Sequence, residues 1–155
     1  MQPPRILRLR KRDNEAVLRE AARALQGGAL VIMPTDTVYG LAADAFLPGA
    51  EDELYKAKER DRGKPIPLLA ANLAAVEEYG AVLNREERRL AERFWPGPLT
   101  LVLRTKERAE GFRVPAHEAA LELLGMGRGV LRVTSANLSG EPPALTAAAA
   151  VKALG

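Results

Sequence analysis

Short apolar runs, separated by glycine, proline and charged stretches, predict a chain that alternates strands and helices. The predicted strands cover residues 5–9, 29–33, 39–43, 66–70, 99–103 and 130–134. The predicted helices are one capped by Asp13 or Asn14 and running to residue 26, then 51–60, 84–94, part of 114–124, and 145–154. This mixed order favours an α/β or α+β fold around one sheet.

Two local signals refine these elements. Asn84 and Glu87 have the spacing of a capping box, in which each side chain accepts a hydrogen bond from the other residue's backbone. Pro65 and Pro67 remove backbone donors around the start of the strand predicted at residues 66–70. We therefore expect that strand to lie at a sheet edge or to begin irregularly.

Composition limits the classes of function that remain. The sequence has 155 residues and predicts a single domain over residues 1–155. It contains no cysteine, which excludes a disulfide scaffold and a thiol nucleophile, and its one histidine leaves almost no material for a histidine-based metal centre or catalytic triad. Its longest apolar runs are far shorter than the ~18 residues of a membrane span. We expect a soluble, cytoplasmic protein.

The net charge of +3 is modest, but two stretches are strongly basic. The first stretch comprises Arg5, Arg8, Arg10, Lys11 and Arg12. The second comprises Lys56, Lys58, Arg60, Arg62 and Lys64. Such clusters suit the phosphates of a nucleotide or of RNA, although a solvated surface is the simpler explanation for any one of these residues.

The common catalytic motifs are absent from the sequence. It has no P-loop, and its glycine run at residues 125–129 precedes a strand, unlike a dinucleotide-binding loop. Neither a zinc-protease motif nor a nucleophile elbow occurs. Four unusual segments remain at predicted strand or helix ends: 34–40 (PTDTVYG), 58–65, 94–100 (FWPGPLT) and 134–140 (TSANLSG). Each segment also has a purely structural explanation, as a turn, as a helix end or, for Trp95, as a side chain that fills the core (a core plug).

Together these segments resemble the YrdC-like threonylcarbamoyl-AMP synthases, the TsaC family. The hallmarks of that family are PTDTVYGL, K-x-R…KP, FWPGPLT, R-V-P-x-H and TSANLSG. All five occur here in the family's order, at residues 34–41, 58–65, 94–100, 113–117 and 134–140. The motif-bearing region spans residues 14–154, and five motifs in register are far more specific than any one of them.

The resemblance implies a single-domain YrdC-like α/β fold, a twisted mixed β-sheet flanked by helices, with a basic concave cavity. It implies synthesis of threonylcarbamoyl-AMP from L-threonine, bicarbonate and ATP, with release of pyrophosphate, for threonylcarbamoyladenosine modification of tRNA. ATP is then a substrate, and Mg²⁺ is expected with it, without a protein ligand that the sequence identifies. RNA or tRNA and a threonylcarbamoyl-transferase complex are the further partners implied.

The resemblance also assigns roles to individual residues. ATP binding falls to Lys58, Arg60, Lys64, Ser135 and Asn137. Thr37 would contact L-threonine, and Arg113 would hold the substrate carboxylate through a bidentate fork. No residue is assigned as a catalytic acid or base, because such chemistry needs positioned reactants and charge stabilisation. His117 is expected to be structural.

Two departures from the family pattern keep other interpretations open. Family members usually continue beyond the closing helix, whereas this sequence stops at Gly155, and the connection from Thr100 to Arg113 is short. A non-catalytic paralogue that binds nucleotide or double-stranded RNA is the second interpretation. Carbamoyl-adenylate formation, as in the related domain of hydrogenase-maturation proteins, is the third, although that domain normally sits in a much longer chain.

Overall fold

A six-stranded mixed sheet organises the structure, a computed structural model that describes residues 4–154. Its strands are β1 (Val31–Met33), β2 (Gly40–Asp44), β3 (Leu68–Ala70), β4 (Leu101–Arg104), β5 (Ala109–Arg113) and β6 (Val130–Ser135). The helices are α1 (Glu15–Gln26), α2 (Ala50–Lys58), α3 (Leu73–Tyr79), α4 (Arg85–Phe94), α5 (Glu118–Met126) and α6 (Ala147–Leu154). The mixed α/β sheet predicted from the sequence is confirmed.

The strand order is β1-β2-β6-β3-β5-β4, in which β3 and β5 are parallel and the other neighbours antiparallel. Gly40, the first residue of β2, pairs with Ser135, the last residue of β6. The segment before β2 (residues 34–39) and the segment after β6 (residues 136–140) therefore meet at one end of the sheet. Gly40 is needed there, because a Cβ atom at this position would lie 2.5 Å from Cγ1 of Val133.

Helices cover both faces of the sheet. On one face, α1 and α5 pack against a cluster that includes Leu69 of β3 and Val133 of β6. On the other face, α3 and α4 pack around Leu68 and Phe112, while α2 packs against the adjoining Leu41. The neighbours Leu68 and Leu69 thus belong to different clusters, because successive side chains of a strand point to opposite faces.

The two helix caps predicted from the sequence differ in the structure. The capping box of α4 is confirmed, with Asn84 Oδ1 2.8 Å from the Glu87 nitrogen and Glu87 Oε1 2.9 Å from the Asn84 nitrogen. Asn14 occupies the N-cap position of α1, yet its side chain binds the backbone of Arg10 instead of the helix. The expected capping bond of α1 is therefore wrong.

Other sequence-based elements also need correction. The strand predicted at residues 5–9 is wrong, because this segment is largely exposed and pairs with no strand among the described residues. Helix α3 and strand β5 were not predicted. The strand at residues 66–70 is observed as β3, which lies inside the sheet instead of at its edge. Its irregular start is confirmed, because Ile66 and Pro67 precede the regular pairing.

Candidate functional site

A cavity of about 280 Å³ opens at the end of the sheet where the segments before β2 and after β6 meet. Its lining residues are Thr35, Thr37, Val38, Tyr39, Gly40, Arg60, Pro67, Leu69, Thr100, Arg113, Val133, Thr134 and Ser135. All five sequence motifs contribute to this wall. The charged residues in that set are Arg60 and Arg113, so the described lining favours an anionic ligand.

Arg113, at the end of β5, forms one side of the cavity. Its Nη1 donates to Asp36 Oδ1 at 2.6 Å, and its Nη2 donates to Thr37 Oγ1 at 3.1 Å. The side chains of Arg113 and Asp36 are 10% and 13% exposed. This places a nearly buried guanidinium at the cavity, held in position by a carboxylate and a hydroxyl that both come from the segment before β2.

Lys58, the last residue of α2, forms a second cationic group. It is 1% exposed, and its three N–H groups are shared among four oxygen atoms within 3.2 Å of Nζ. These acceptors are Thr134 Oγ1 (3.1 Å), the Ser135 carbonyl (2.6 Å), Ser135 Oγ (3.2 Å) and Asn137 Oδ1 (3.2 Å). The ammonium therefore fixes the segment that follows β6, and all four of these acceptors are neutral.

Burial, together with the smaller effect of the nearby Arg60 charge, lowers the pKa of Lys58 from 10.5 to about 8. Removal from water disfavours the charged ammonium, and a neighbouring guanidinium repels it. A negatively charged ligand placed beside Lys58 would oppose both effects. Ser135, which binds Lys58, lines the cavity, so an anion bound there would raise the pKa of this lysine.

Arg60 reaches the cavity from the segment that follows α2. The segment turns at Glu59, whose φ of 51° is in the left-handed region. The Arg60 side chain donates from Nε to the carbonyl of Lys64 and from Nη2 to that of Pro65, at 3.1 Å each. Lys64 is exposed and does not line the cavity. Of the two, Arg60 alone is placed by this geometry at the wall.

Two residues singled out in the sequence have structural contacts. Trp95 packs against the core cluster of β3, β4 and β5, and its Nε1 donates to the Leu99 carbonyl at 2.8 Å. This agrees with the core-plug interpretation. His117 is the N-cap of α5, where its Nδ1 accepts from the Ala120 nitrogen at 3.2 Å. The structure thereby gives His117 a role in starting a helix.

The structure brings the sequence-predicted site residues together in two groups. Thr37 and Arg113 form one group, and Lys58, Ser135 and Asn137 form the other. Asp36, which contacts Arg113 directly, was not among the predicted site residues. It could have been found, because it is the one carboxylate in the segment at residues 34–40 and a buried arginine requires such a partner.

Two features, a metal-binding cluster and a membrane-spanning helix, are absent from the part of the chain that the structure describes. Between residues 4 and 154, no group of three or more His, Cys, Asp or Glu side chains is placed to hold a metal ion. Over the same residues, no helix combines the length and apolar character needed to cross a membrane.

The fold and the cavity define an α/β protein with a cavity at the end of its sheet, lined by two arginines. A family model described as "Telomere recombination" (Sua5_yciO_yrdC) matches residues 23–155, and the chain belongs to this family. It is 37% identical over 147 residues to the threonylcarbamoyl-AMP synthase of Pyrococcus abyssi, covering 88% of this chain and 43% of that protein.

A second relative and a solved structure agree with this family. The putative threonylcarbamoyl-AMP synthase of Mycobacterium leprae is 40% identical over 135 residues, covering 81% of this chain and 61% of that one. The crystal structure of P. abyssi Sua5 complexed with L-threonine matches with a TM-score of 0.88 and 35% identity, covering 92% of this chain and 45% of that one. This chain thus spans about half the length of the relatives it matches.

Proposed function

We propose that this protein makes threonylcarbamoyl-AMP from L-threonine, bicarbonate and ATP. The observation that carries the proposal is one cavity lined both by the Arg113–Thr37 pair and by Arg60 and Ser135. An amino-acid carboxylate and a polyphosphate are both anionic, and the cavity offers a separate cationic group to each. Relatives named as threonylcarbamoyl-AMP synthases, and a family structure complexed with L-threonine, support the proposal.

The threonine end of the cavity would be the Arg113 side. A guanidinium presents a planar fork that matches a carboxylate. In the structure, Asp36 occupies one arm of that fork and Thr37 the other. The substrate carboxylate would replace or share these contacts, and the nearby Asp36 carboxylate suits the positive charge of an amino-acid ammonium.

The nucleotide end would be the side formed by Arg60, Lys58 and the segment after β6. Arg60 supplies a cation at the wall, while Ser135 and Asn137 supply hydroxyl and amide groups held in place by Lys58. Lys64, exposed on the same segment as Arg60, completes the predicted set. Such fixed donors stabilise phosphate charge without having to reorganise during the reaction.

The proposed reaction needs no nucleophile from the protein. The threonine nitrogen forms a bond to carbon dioxide derived from bicarbonate and loses a proton, which gives a carbamate. A carbamate oxygen then bonds to the α-phosphorus of ATP, and the bond from that phosphorus to the leaving pyrophosphate breaks. The protein's part is to hold the two reactants together and to offset the negative charge.

Magnesium would enter this reaction with the triphosphate. The described residues offer no cluster of carboxylates that could serve as a dedicated cage. Mg²⁺ commonly takes most of its ligands from substrate phosphates and water, so the donors present are compatible with its arrival on ATP. The product would pass to a threonylcarbamoyl-transferase complex acting on tRNA, and residues 1–155 would act as one domain.

The test is pyrophosphate release by the purified chain from ATP and bicarbonate, with and without L-threonine. We expect release that depends on threonine and that is lost in Arg113→Ala. Arg93→Ala, which removes an exposed arginine of α4, is the matched control and should retain the activity. ATP binding without threonine-dependent release would contradict the proposal and favour the non-catalytic nucleotide- or RNA-binding paralogue.

A further inference from the structure

The segment at residues 64–67 is held to the protein through its carbonyl groups. Because Pro65 and Pro67 have no N–H group, the segment has few backbone donors of its own. The Lys64 carbonyl accepts from the hydroxyl of Tyr55 at 2.9 Å and from Arg60 Nε at 3.1 Å. The Pro65 carbonyl accepts from Arg60 Nη2.

The inner half of the same segment is held by β6. The Ile66 carbonyl accepts from Arg132 Nη1 at 2.7 Å, and the Pro67 carbonyl accepts from the Val133 backbone nitrogen at 3.1 Å. Ile66 itself is 1% exposed. Arg132 therefore supplies the side-chain donor at the buried end of the segment, whereas Arg60 and Tyr55 supply those at its exposed end.

A buried ion pair fixes the orientation of Arg132. Its Nη2 lies 2.6 Å from Glu110 Oε2, and both side chains are 4% exposed. The same nitrogen donates to the Tyr79 hydroxyl at 3.1 Å, and Nε lies 3.6 Å from Glu51 Oε2. These partners engage Nη2 and Nε, which leaves Nη1 to donate to the Ile66 carbonyl.

We propose that Arg132, oriented by Glu110, is a positioning residue that holds the segment at residues 60–67 so that Arg60 faces the nucleotide end of the cavity. Arg132 is not among the residues that line the cavity. Its effect would pass through the Ile66 carbonyl to the segment that Arg60 binds at Lys64 and Pro65. This inference rests on the proposed function for its ligand.

The consequence is selective for one substrate. The Arg113–Thr37 group comes from β5 and from the segment before β2, and it shares no described hydrogen bond with residues 60–67. Loosening that segment should therefore weaken ATP binding and leave threonine binding unchanged. A general loss of stability would lower both affinities together.

The first experiment replaces the ion pair as a unit, with Arg132→Met and Glu110→Leu in one protein. Apolar side chains of similar size are commonly tolerated in place of a buried pair, so the variant should fold. We expect calorimetry to show ATP affinity reduced about fivefold to tenfold, as for loss of one hydrogen bond to a buried carbonyl. L-threonine affinity should stay within about twofold.

A second readout does not depend on ATP. Hydrogen exchange at the amides of residues 59–64 and 66 should be about tenfold faster in the double variant, because the segment opens more readily. If the native protein binds no ATP, the proposed function fails, while the exchange comparison still decides whether Arg132 anchors the segment. Unchanged exchange would overturn the anchor, whatever the result with ATP.

Two more variants keep the test interpretable. Arg132→Lys retains a cation beside Glu110, but an ammonium lacks the two separate nitrogens with which Arg132 binds Glu110 and the Ile66 carbonyl. This variant should therefore weaken ATP binding and leave threonine binding unchanged, even if the double variant does not fold. Arg108→Met removes the exposed partner of Glu110 without touching Ile66, and it should bind ATP normally. Equal losses of ATP and threonine affinity in Arg132→Lys would overturn the proposal.

Discussion

Two buried arginines lie on β6 and β5, the strands on either side of β3, and each pairs with a carboxylate, yet their surroundings differ. Arg132 of β6 and Glu110 of β5 are closed off on every side, with Tyr79, Glu51 and the Ile66 carbonyl as further partners. Arg113 of β5 pairs with Asp36, a residue of the segment before β2. The Arg113 pair lies against the cavity, whereas the Arg132 pair lies in the core.

The comparison shows how one chemical pair serves two purposes. The Arg132 pair joins elements of the core, so its partners are needed to offset the removal of two charges from water. The Arg113 pair borders a space that a ligand can enter, so its partners can be exchanged. Removing a partner should therefore change stability at Arg132 and ligand affinity at Arg113.

The largest expected effect breaks the core pair. Glu110→Ala leaves Arg132 buried without its closest carboxylate, and we expect a loss of about 3–5 kcal/mol in the free energy of unfolding. Asp36→Ala should cost less, about 1–2 kcal/mol, because Arg113 borders the cavity and keeps Thr37 and the Gly97 carbonyl as acceptors. Urea unfolding followed by circular dichroism measures both changes. Equal losses in the two variants would remove the distinction between the pairs.

The second prediction concerns ligand affinity. In the proposed complex, Arg113→Ala would remove two charge-assisted hydrogen bonds to the substrate carboxylate, so L-threonine affinity should fall about a hundredfold. ATP affinity, measured in the same calorimeter, should remain within about twofold. Arg93→Ala again serves as the control. Threonine binding that survives Arg113→Ala would place the amino-acid site elsewhere.

Lys58 is a third buried cation, and it differs from the two arginines because its described acceptors carry no charge. The pKa of Lys58 is lowered to about 8, so this lysine loses its proton as the pH rises above 8. A bound triphosphate would raise that pKa, and binding above pH 8 would then require uptake of a proton. We expect ATP affinity to fall up to about tenfold per pH unit above pH 8.

The control for this pH dependence is Lys58→Gln. It should bind ATP weakly, with a nearly flat response over the same range. An equally steep fall in Lys58→Gln would mean that another group takes up the proton.

The smallest effects come from one hydroxyl partner at each arginine. Tyr79→Phe removes an acceptor of Arg132 and should lower the free energy of unfolding by about 1 kcal/mol, with threonine affinity unchanged. Thr37→Val removes an acceptor of Arg113 and should weaken threonine binding about fivefold, with stability nearly unchanged. Urea unfolding and threonine calorimetry are applied to both variants. A stability loss in Thr37→Val together with a threonine-affinity loss in Tyr79→Phe would contradict the roles given to the two arginines.

Local signals in the sequence were sufficient to predict much of the fold. The capping box at Asn84 and Glu87 and the irregular start of β3 depend on neighbouring residues, and both are observed. Strand β5 was missed because its sequence, AEGFR, carries a glycine and two charged residues; its pairing with β4 and β3 makes it a strand. The strand predicted at residues 5–9 had the right alternation but no partner strand.

The sequence identified the motifs that line the site, but it did not predict which side chains form pairs within it. Thr37 and Arg113 were assigned together through the resemblance, and the structure brings them into contact. Asp36 and Arg113 lie 77 positions apart, and Glu110 and Arg132 lie 22 apart. Which carboxylate pairs with which arginine depends on strand order, which no local pattern specifies.

Trp95 has a consequence for spectroscopy. It is the single tryptophan of the sequence, and its indole N–H bonds within the turn that also carries Gly97. The Gly97 carbonyl accepts from Arg113 Nη1 at 3.4 Å, which places the fluorophore two residues from a contact of the threonine end. Intrinsic emission excited at the indole band would therefore report occupancy of that end in real time, without a dye or a labelled substrate.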